Sequence, residues 1–131
     1  MTDRRGFFTA TGSSTGYAVP EIVTGKPVSI GGTYGRREAA GRGVVYLIER
    51  AANLLKMKLT GGSAVVQGFG NVGAVAAQGL AYKSGMKIIA VSDISGAYYN
   101  ERGIDILAAE RFASERGDLA GFPGAESIPS G

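Results

Sequence analysis

The stretch Gly68-Phe69-Gly70-Asn71-Val72-Gly73 has the spacing G-x-G-x-x-G, and each of its glycines has a mechanical use. Gly68 permits a tight turn, Gly70 lacks the Cβ that would hold a phosphate off the backbone, and Gly73 lets a helix lie close to the sheet. Where a helix starts inside such a turn, its first N–H groups have no carbonyl partner and stand at the positive end of the dipole. The chemistry on offer is then the grip of a diphosphate by backbone amides. Asp93 stands about twenty residues beyond Gly73, where a dinucleotide-binding unit places the acid that accepts from a ribose 2′-OH. A carboxylate there would repel a 2′-phosphate, which favours NAD and leaves NADP as the second choice. The competing readings are a glycine turn that holds no ligand, and an Asp93 that merely caps a helix or the turn at Ser95-Gly96.

Other chemistries are narrowed by composition. The chain has no Cys and no His, which excludes disulfides, thiolate nucleophiles, the usual zinc sites and a Ser-His-Asp triad. Chemistry must come from lysines, acids, hydroxyls or a bound cofactor, and we assign no catalytic residue and no metal ligand. The formal charge of +3 is scattered among acids with no basic stripe interleaved with aromatics, so nucleic acid is not an expected partner. No stretch reaches the apolar length of a membrane span. Arg4-Arg5-Gly6-Phe7-Phe8 has a passing likeness to an export signal, but Thr9 to Gly16 is polar where an apolar region belongs, and a cytoplasmic protein is expected.

The glycine turn needs elements on both sides. Ser63-Ala64-Val65-Val66-Gln67 reads as the strand before it, and Val72, Val75, Ala76 and Leu80 recur at helical spacing after it, ending at Lys83 and a Gly85 stop. Lys87-Ile88-Ile89-Ala90-Val91-Ser92 reads as a second strand, and the two imply a right-handed crossover through the intervening helix. Before them, Ala40, Val44, Leu47, Ile48, Ala51 and Leu55 give an amphipathic helix from Arg36. Gly41 and Gly43 sit inside it at a cost of about 1 kcal/mol each against Ala, so something packs closely there: a cofactor ring, or another helix or strand.

Residues 1–16 are expected to be disordered or poorly packed, and 17–131 to form one partial domain. Val28 and Ile104 are weak strand candidates, and Tyr98-Tyr99 read as packed or strand residues. Asn100 to Gly103 reads as a tight turn, Asp105 as the cap of a helix from Ile106 to Arg116 closed by Gly117, and the tail from Asp118 as having no regular element.

Val23-Thr24-Gly25-Lys26-Pro27, Gly31-Gly32-Thr33-Tyr34-Gly35-Arg36-Arg37-Glu38-Ala39-Ala40-Gly41-Arg42-Gly43-Val44 and the Gly68–Gly73 turn together closely resemble the NAD(P)-binding, C-terminal domain of glutamate dehydrogenases. These belong with the wider Glu/Leu/Phe/Val amino-acid dehydrogenases. Val91-Ser92-Asp93, Gly96-Ala97-Tyr98-Tyr99-Asn100 and Gly121-Phe122-Pro123-Gly124-Ala125-Glu126 extend the resemblance, which runs from about Tyr17 to Glu126. It implies oxidative deamination of an amino acid to a 2-oxo acid and ammonia with NAD or NADP, in enzymes that assemble as hexamers. It also implies a preceding substrate domain that carries the catalytic lysine and aspartate. No stretch before Tyr17 resembles the lysine motif, so Lys26 is not given that role, and this chain alone is expected not to turn over amino acids. By the same resemblance Asn71 corresponds to the asparagine of the family's glycine turn, and Ala40 stands where the family usually has a threonine that contacts the nicotinamide carboxamide. The candidate cofactor set is therefore Gly68, Phe69, Gly70, Asn71, Val72 and Gly73, with Asp93 and Ala40.

The expected fold is α/β: an incomplete Rossmann-type domain, a parallel sheet flanked by helices. Its truncated sheet should expose apolar surface and be marginally stable unless a partner covers it. Besides the cofactor-binding part of a dehydrogenase, a non-catalytic nucleotide-binding or interaction module that associates with a full-length dehydrogenase fits the same residues.

Overall fold

The computed structural model describes residues 26–30 and 32–129; the expectations for residues 1–16 and Tyr17 to Gly25 lie outside them. The chain divides into two units, one ending at Arg37 and one starting at Glu38. In the first, Pro27 opens a short 3-10 turn over Val28–Ile30 in place of the weak strand expected there, because the Pro27 carbonyl accepts from Ile30 N at 3.1 Å and Gly32 N at 2.9 Å.

In the second unit, helix α1 (Arg36–Leu54, begun in the first unit) is followed by β1 (Ser63–Gln67), α2 (Asn71–Gln78) and β2 (Lys87–Asp93). β3 (Gly96–Tyr99), α3 (Ile106–Arg116) and β4 (Glu126–Ile128) complete it. The sheet order is β1-β2-β3-β4. Only β1 and β2 are parallel; β3 returns antiparallel to β2, and β4 antiparallel to β3, so the sheet is mixed where the sequence suggested a parallel one. The reason is the short Ile94-Ser95 link between Asp93 and Gly96, which can join only antiparallel strands. β4 was hidden by its Pro- and Gly-rich surroundings, and Ile104, also a weak strand candidate, contributes only one bond from its N–H to the Ile88 carbonyl at 2.7 Å.

The helix after the glycine turn continues beyond α2 as a π-helical turn over Gly79–Lys83, and Gly85 follows at φ +69°. The core lies between α2, α3 and one face of the sheet, with Ala77, Ile88, Val91, Ile106, Ala109 and Leu119 all but inaccessible. Asp105 caps α3 by accepting from Ala108 N at 3.1 Å, and Gly117 ends it at φ +91°. β1 is an edge strand whose outward Val65 is 67% exposed.

α1 buries a different stripe from the one its sequence suggests. Val45 and Ala52 are buried, while Val44, Leu47 and Leu55 stay exposed. The cause is small residues: a Cβ on Gly41 would come 2.6 Å from Val75 Cβ, and one on Gly79 would come 2.6 Å from Val45 Cγ2. These glycines draw α1 onto α2 and its π-helical extension, so at Gly41 the close neighbour is another helix. Gly43 has nothing within 4 Å of its Cβ position. Farther along, Glu49 accepts from Lys83 Nζ at 2.8 Å and Ser84 Oγ at 2.9 Å, and those bonds, Lys83 first, hold its carboxyl below the usual range.

Candidate cofactor site at the glycine turn

The turn is built by its own backbone. Gly68 leaves β1 at φ +87°, in the left-handed region, and the N–H groups of Gly68 and Phe69 both donate to the Ser92 carbonyl of β2, at 2.9 and 2.7 Å. Phe69 is 7% exposed and plugs the core from the turn, so its role is to anchor the loop. Gly70 is the N-cap of α2 in an extended conformation, and Ala74 N donates to its carbonyl at 2.8 Å. No side chain caps this helix. The amides of Asn71, Val72 and Gly73 precede the first such bond and have no partner within the helix.

The two later glycines do different jobs. A Cβ on Gly73 would lie 1.8 Å from the Gly68 carbonyl oxygen and 3.4 Å from Val66 Cγ1, so Gly73 is required by the protein's own backbone. A Cβ on Gly70 would meet nothing within 4 Å. The space in front of Gly70, the N-cap of α2, is open. Asn71 and Val72 are exposed on the first turn of α2, and Ala40 is exposed on α1. The residues present thus fit a diphosphate: bare backbone, positive dipole end and open approach.

Asp93 ends β2, and both its carboxylate oxygens are occupied by protein donors. Oδ1 accepts from Ser95 N at 2.8 Å and Ser95 Oγ at 2.6 Å, and Oδ2 from Leu119 N at 2.7 Å. Ser95 spends its one hydroxyl proton on Asp93, so the buried Tyr98 hydroxyl donates to Ser95 Oγ at 2.7 Å. Partial burial, the largest single influence, raises the Asp93 pKa. The bonds from Ser95, Leu119 and Gly96 outweigh it and hold the carboxyl below its ordinary value. Asp93 is therefore a charged turn residue that ties the β2–β3 hairpin to the segment after α3. Ser95, Tyr98 and Leu119 were not singled out from sequence as its partners; the Asp-x-Ser spacing was the available signal for the first. Among the described residues no cluster of acids is placed to hold a metal ion.

A model of the Glutamate/Leucine/Phenylalanine/Valine dehydrogenase family matches residues 31–131. The chain belongs to that family. Glutamate dehydrogenase A2 of Halobacterium salinarum is 46% identical over 102 residues, covering 78% of this chain and 24% of that protein. The glutamate dehydrogenase of Thermotoga maritima is 42% identical over 115 residues, 88% of this chain and 28% of its own length. Among solved structures, the hetero-hexameric glutamate dehydrogenase of Thermus thermophilus in its Leu-bound form superposes with a TM-score of 0.72 at 35% identity, covering 84% of this chain and 26% of that one. The Plasmodium falciparum glutamate dehydrogenase gives 0.69 at 29% identity, covering 81% and 24%. The chain thus spans about a quarter of the length of these relatives.

Proposed function

We propose that these residues are the dinucleotide-binding portion of an NAD(P)-dependent glutamate dehydrogenase, which in its intact form deaminates glutamate oxidatively to 2-oxoglutarate. The open space at Gly70, flanked by a Gly68 and a Gly73 that the turn itself requires, carries the reading. The amides of Asn71, Val72 and Gly73 bind the pyrophosphate. When bound, the cofactor supplies the hydride acceptor. Asp93, held ionised and oriented by Ser95 and Leu119, is the acid that meets the ribose hydroxyls and repels a 2′-phosphate, so NAD is preferred over NADP. Ala40 has no donor for a carboxamide, which weakens nicotinamide placement without affecting the diphosphate. Family membership supports the activity, and the hetero-hexameric Thermus thermophilus relative supports a hexameric assembly, with a cytoplasmic setting proposed for the enzyme. Among the described residues no helix is long and apolar enough to cross a membrane.

The 131 residues by themselves bind dinucleotide and do not turn over amino acids. Calorimetric titration with NAD and NADP, beside an assay of glutamate-dependent NADH formation, tests both halves. Saturable NAD binding without turnover is expected. Absence of binding overturns the site, and turnover by the purified chain overturns the division of labour. The exposed Val65 on the β1 edge and Leu47 on α1 favour a second reading, a module that associates with a full-length dehydrogenase, which co-purification with such an enzyme would support.

A further inference from the structure

A second feature lies at the opposite end of the β1–β2 pair from the glycine turn, where the two parallel strands begin. An open groove of about 840 Å³ is lined there by Gly61, by residues of the segment from Ala81 to Ile88, by the turn at Arg102 to Asp105 and by the first turns of α3. Its floor is apolar: Ile88 and Ile104 are buried and Met86 half-buried. Lys87, Arg102 and Arg111 are exposed around it, and no carboxylate pairs with any of them among the described residues; the ion pairs Arg42–Glu38 and Lys83–Glu49 lie elsewhere. The one acid in the wall, Asp105, is turned to its own helix as the cap of α3.

Two of these cations are mounted rather than loose. A Cβ on Gly103 would lie 2.9 Å from Lys87 Cγ, so the Lys87 stem lies across a residue kept bare at φ +101°. Arg102 stands on a turn fixed by its own N–H to Asn100 Oδ1 at 2.9 Å, by Gly103 N to the Asn100 carbonyl at 3.0 Å, and by Asn100 Nδ2 to the Gly124 carbonyl at 2.8 Å. The exposed large apolar residues of the wall are Tyr82 and Leu107, at 59% and 51%.

We propose that this groove docks an acidic segment of a partner polypeptide, its carboxylates meeting Lys87, Arg102 and Arg111 and an apolar side chain lying on the floor of Met86, Ile88 and Ile104. The charge balance selects an anionic partner. The mixture of Arg, Tyr and Met over an apolar floor is that of protein interfaces. A small ligand would need a site that encloses most of its surface, and this groove is open. A nucleic acid strand would need aromatic platforms in series, and Tyr82 is alone in the wall.

The test titrates the isotope-labelled chain with a fluorescein-labelled peptide that alternates Glu and Phe, beside the same peptide with Gln for Glu, inorganic phosphate, and a labelled single-stranded DNA oligonucleotide. Saturable binding of the acidic peptide is expected, with amide shifts confined to Gly61, Gly85 to Ile88 and Arg102 to Arg111, and weaker binding as salt rises. The double variant Lys87→Gln/Arg111→Gln should weaken it roughly fivefold to tenfold, from the modest worth of each exposed charge. Leu107→Glu, at an exposed position, should weaken it by repulsion, and NAD affinity should be unchanged in both variants, which separates this surface from the glycine turn. The proposal is overturned if the acidic peptide does not saturate or the Gln peptide binds equally. Shifts outside the groove, phosphate alone reproducing them, or tighter binding of the oligonucleotide would overturn it too.

Discussion

Replacing Gly70 by Ala should separate binding from folding. The residue sits at φ −95° and ψ −159°, an extended conformation open to any amino acid, and the new methyl would meet nothing within 4 Å. Two small terms then oppose each other in the stability of the chain. Ala is a poorer N-cap than Gly by a few tenths of a kcal/mol up to about 1, and the loss of backbone freedom in the unfolded chain returns about 0.4–1 kcal/mol. They offset, so the melting temperature should move by no more than about 3 °C, given that 1 kcal/mol shifts a domain of this size by roughly 3–6 °C. The same methyl stands in the approach to the α2 amides and should displace the diphosphate from one or two of them. Each hydrogen bond to a charged group is worth about 1.5–3 kcal/mol, so NAD affinity should fall at least tenfold and by a hundredfold or more if two are lost. Calorimetric titration and thermal melting on the same preparations read both quantities. Wild-type affinity in a folded Gly70→Ala chain would refute the reasoning, because nothing else in the turn makes Gly70 necessary.

Five further substitutions follow from the same geometry. Gly73→Ala sets a methyl 1.8 Å from the Gly68 carbonyl oxygen and should cost at least about 2 kcal/mol in urea unfolding. Gly41→Ala, pressed against Val75 and the Val72 carbonyl, should cost about 1–3 kcal/mol, whereas Gly43→Ala, with open space around it, should gain up to about 1 kcal/mol. A Gly43→Ala chain that gains stability but loses NAD affinity would mark Gly43 as lying against the cofactor. Asp93→Asn turns one acceptor into an amide donor facing Ser95 or Leu119 and should destabilise by about 1–3 kcal/mol. Because the folded pKa of Asp93 is depressed, its contribution is present above the ordinary carboxylate pKa near 4 and is lost as pH falls through the folded value; urea titrations between about pH 6 and 2 should show that loss in the wild type and not in Asp93→Asn. Ala40→Thr should tighten NAD binding by about 0.5–1.5 kcal/mol, a few-fold, if a hydroxyl there reaches the carboxamide.

The strand, glycine turn, helix and second strand were legible because each is announced by local chemistry: an apolar run, a G-x-G-x-x-G spacing, a helical apolar period and a second apolar run. α3 was legible to its ends because Asp105 and Gly117 are caps whose geometry is local. What escaped depends on partners distant in sequence. Nothing in Glu126-Ser127-Ile128 alone announces a strand; it is one because Ala97, Tyr98 and Tyr99 lie beside it. Leu119 and Phe122, 0% and 6% exposed, were hidden in a Gly- and Pro-rich tail and are placed by the bond from Leu119 N to Asp93 and the edge contact between Phe122 and Phe112. The buried stripe of α1 was misplaced because apolar period alone cannot tell which of two neighbouring apolar stripes is used; Gly41 and Gly79, by admitting close approach, decide it. At the candidate site, the glycines were readable one by one, while the double engagement of Asp93 required a fold.

A crystal structure of the chain grown with NAD is the most direct test of whether bare amides at this corner hold a diphosphate. Pyrophosphate oxygens about 2.7–3.2 Å from the N–H groups of the first turn of α2, with the diphosphate in the space before Gly70, are the expected result. A dinucleotide bound elsewhere, or a corner closed by the protein's own side chains in the presence of saturating NAD, would contradict it.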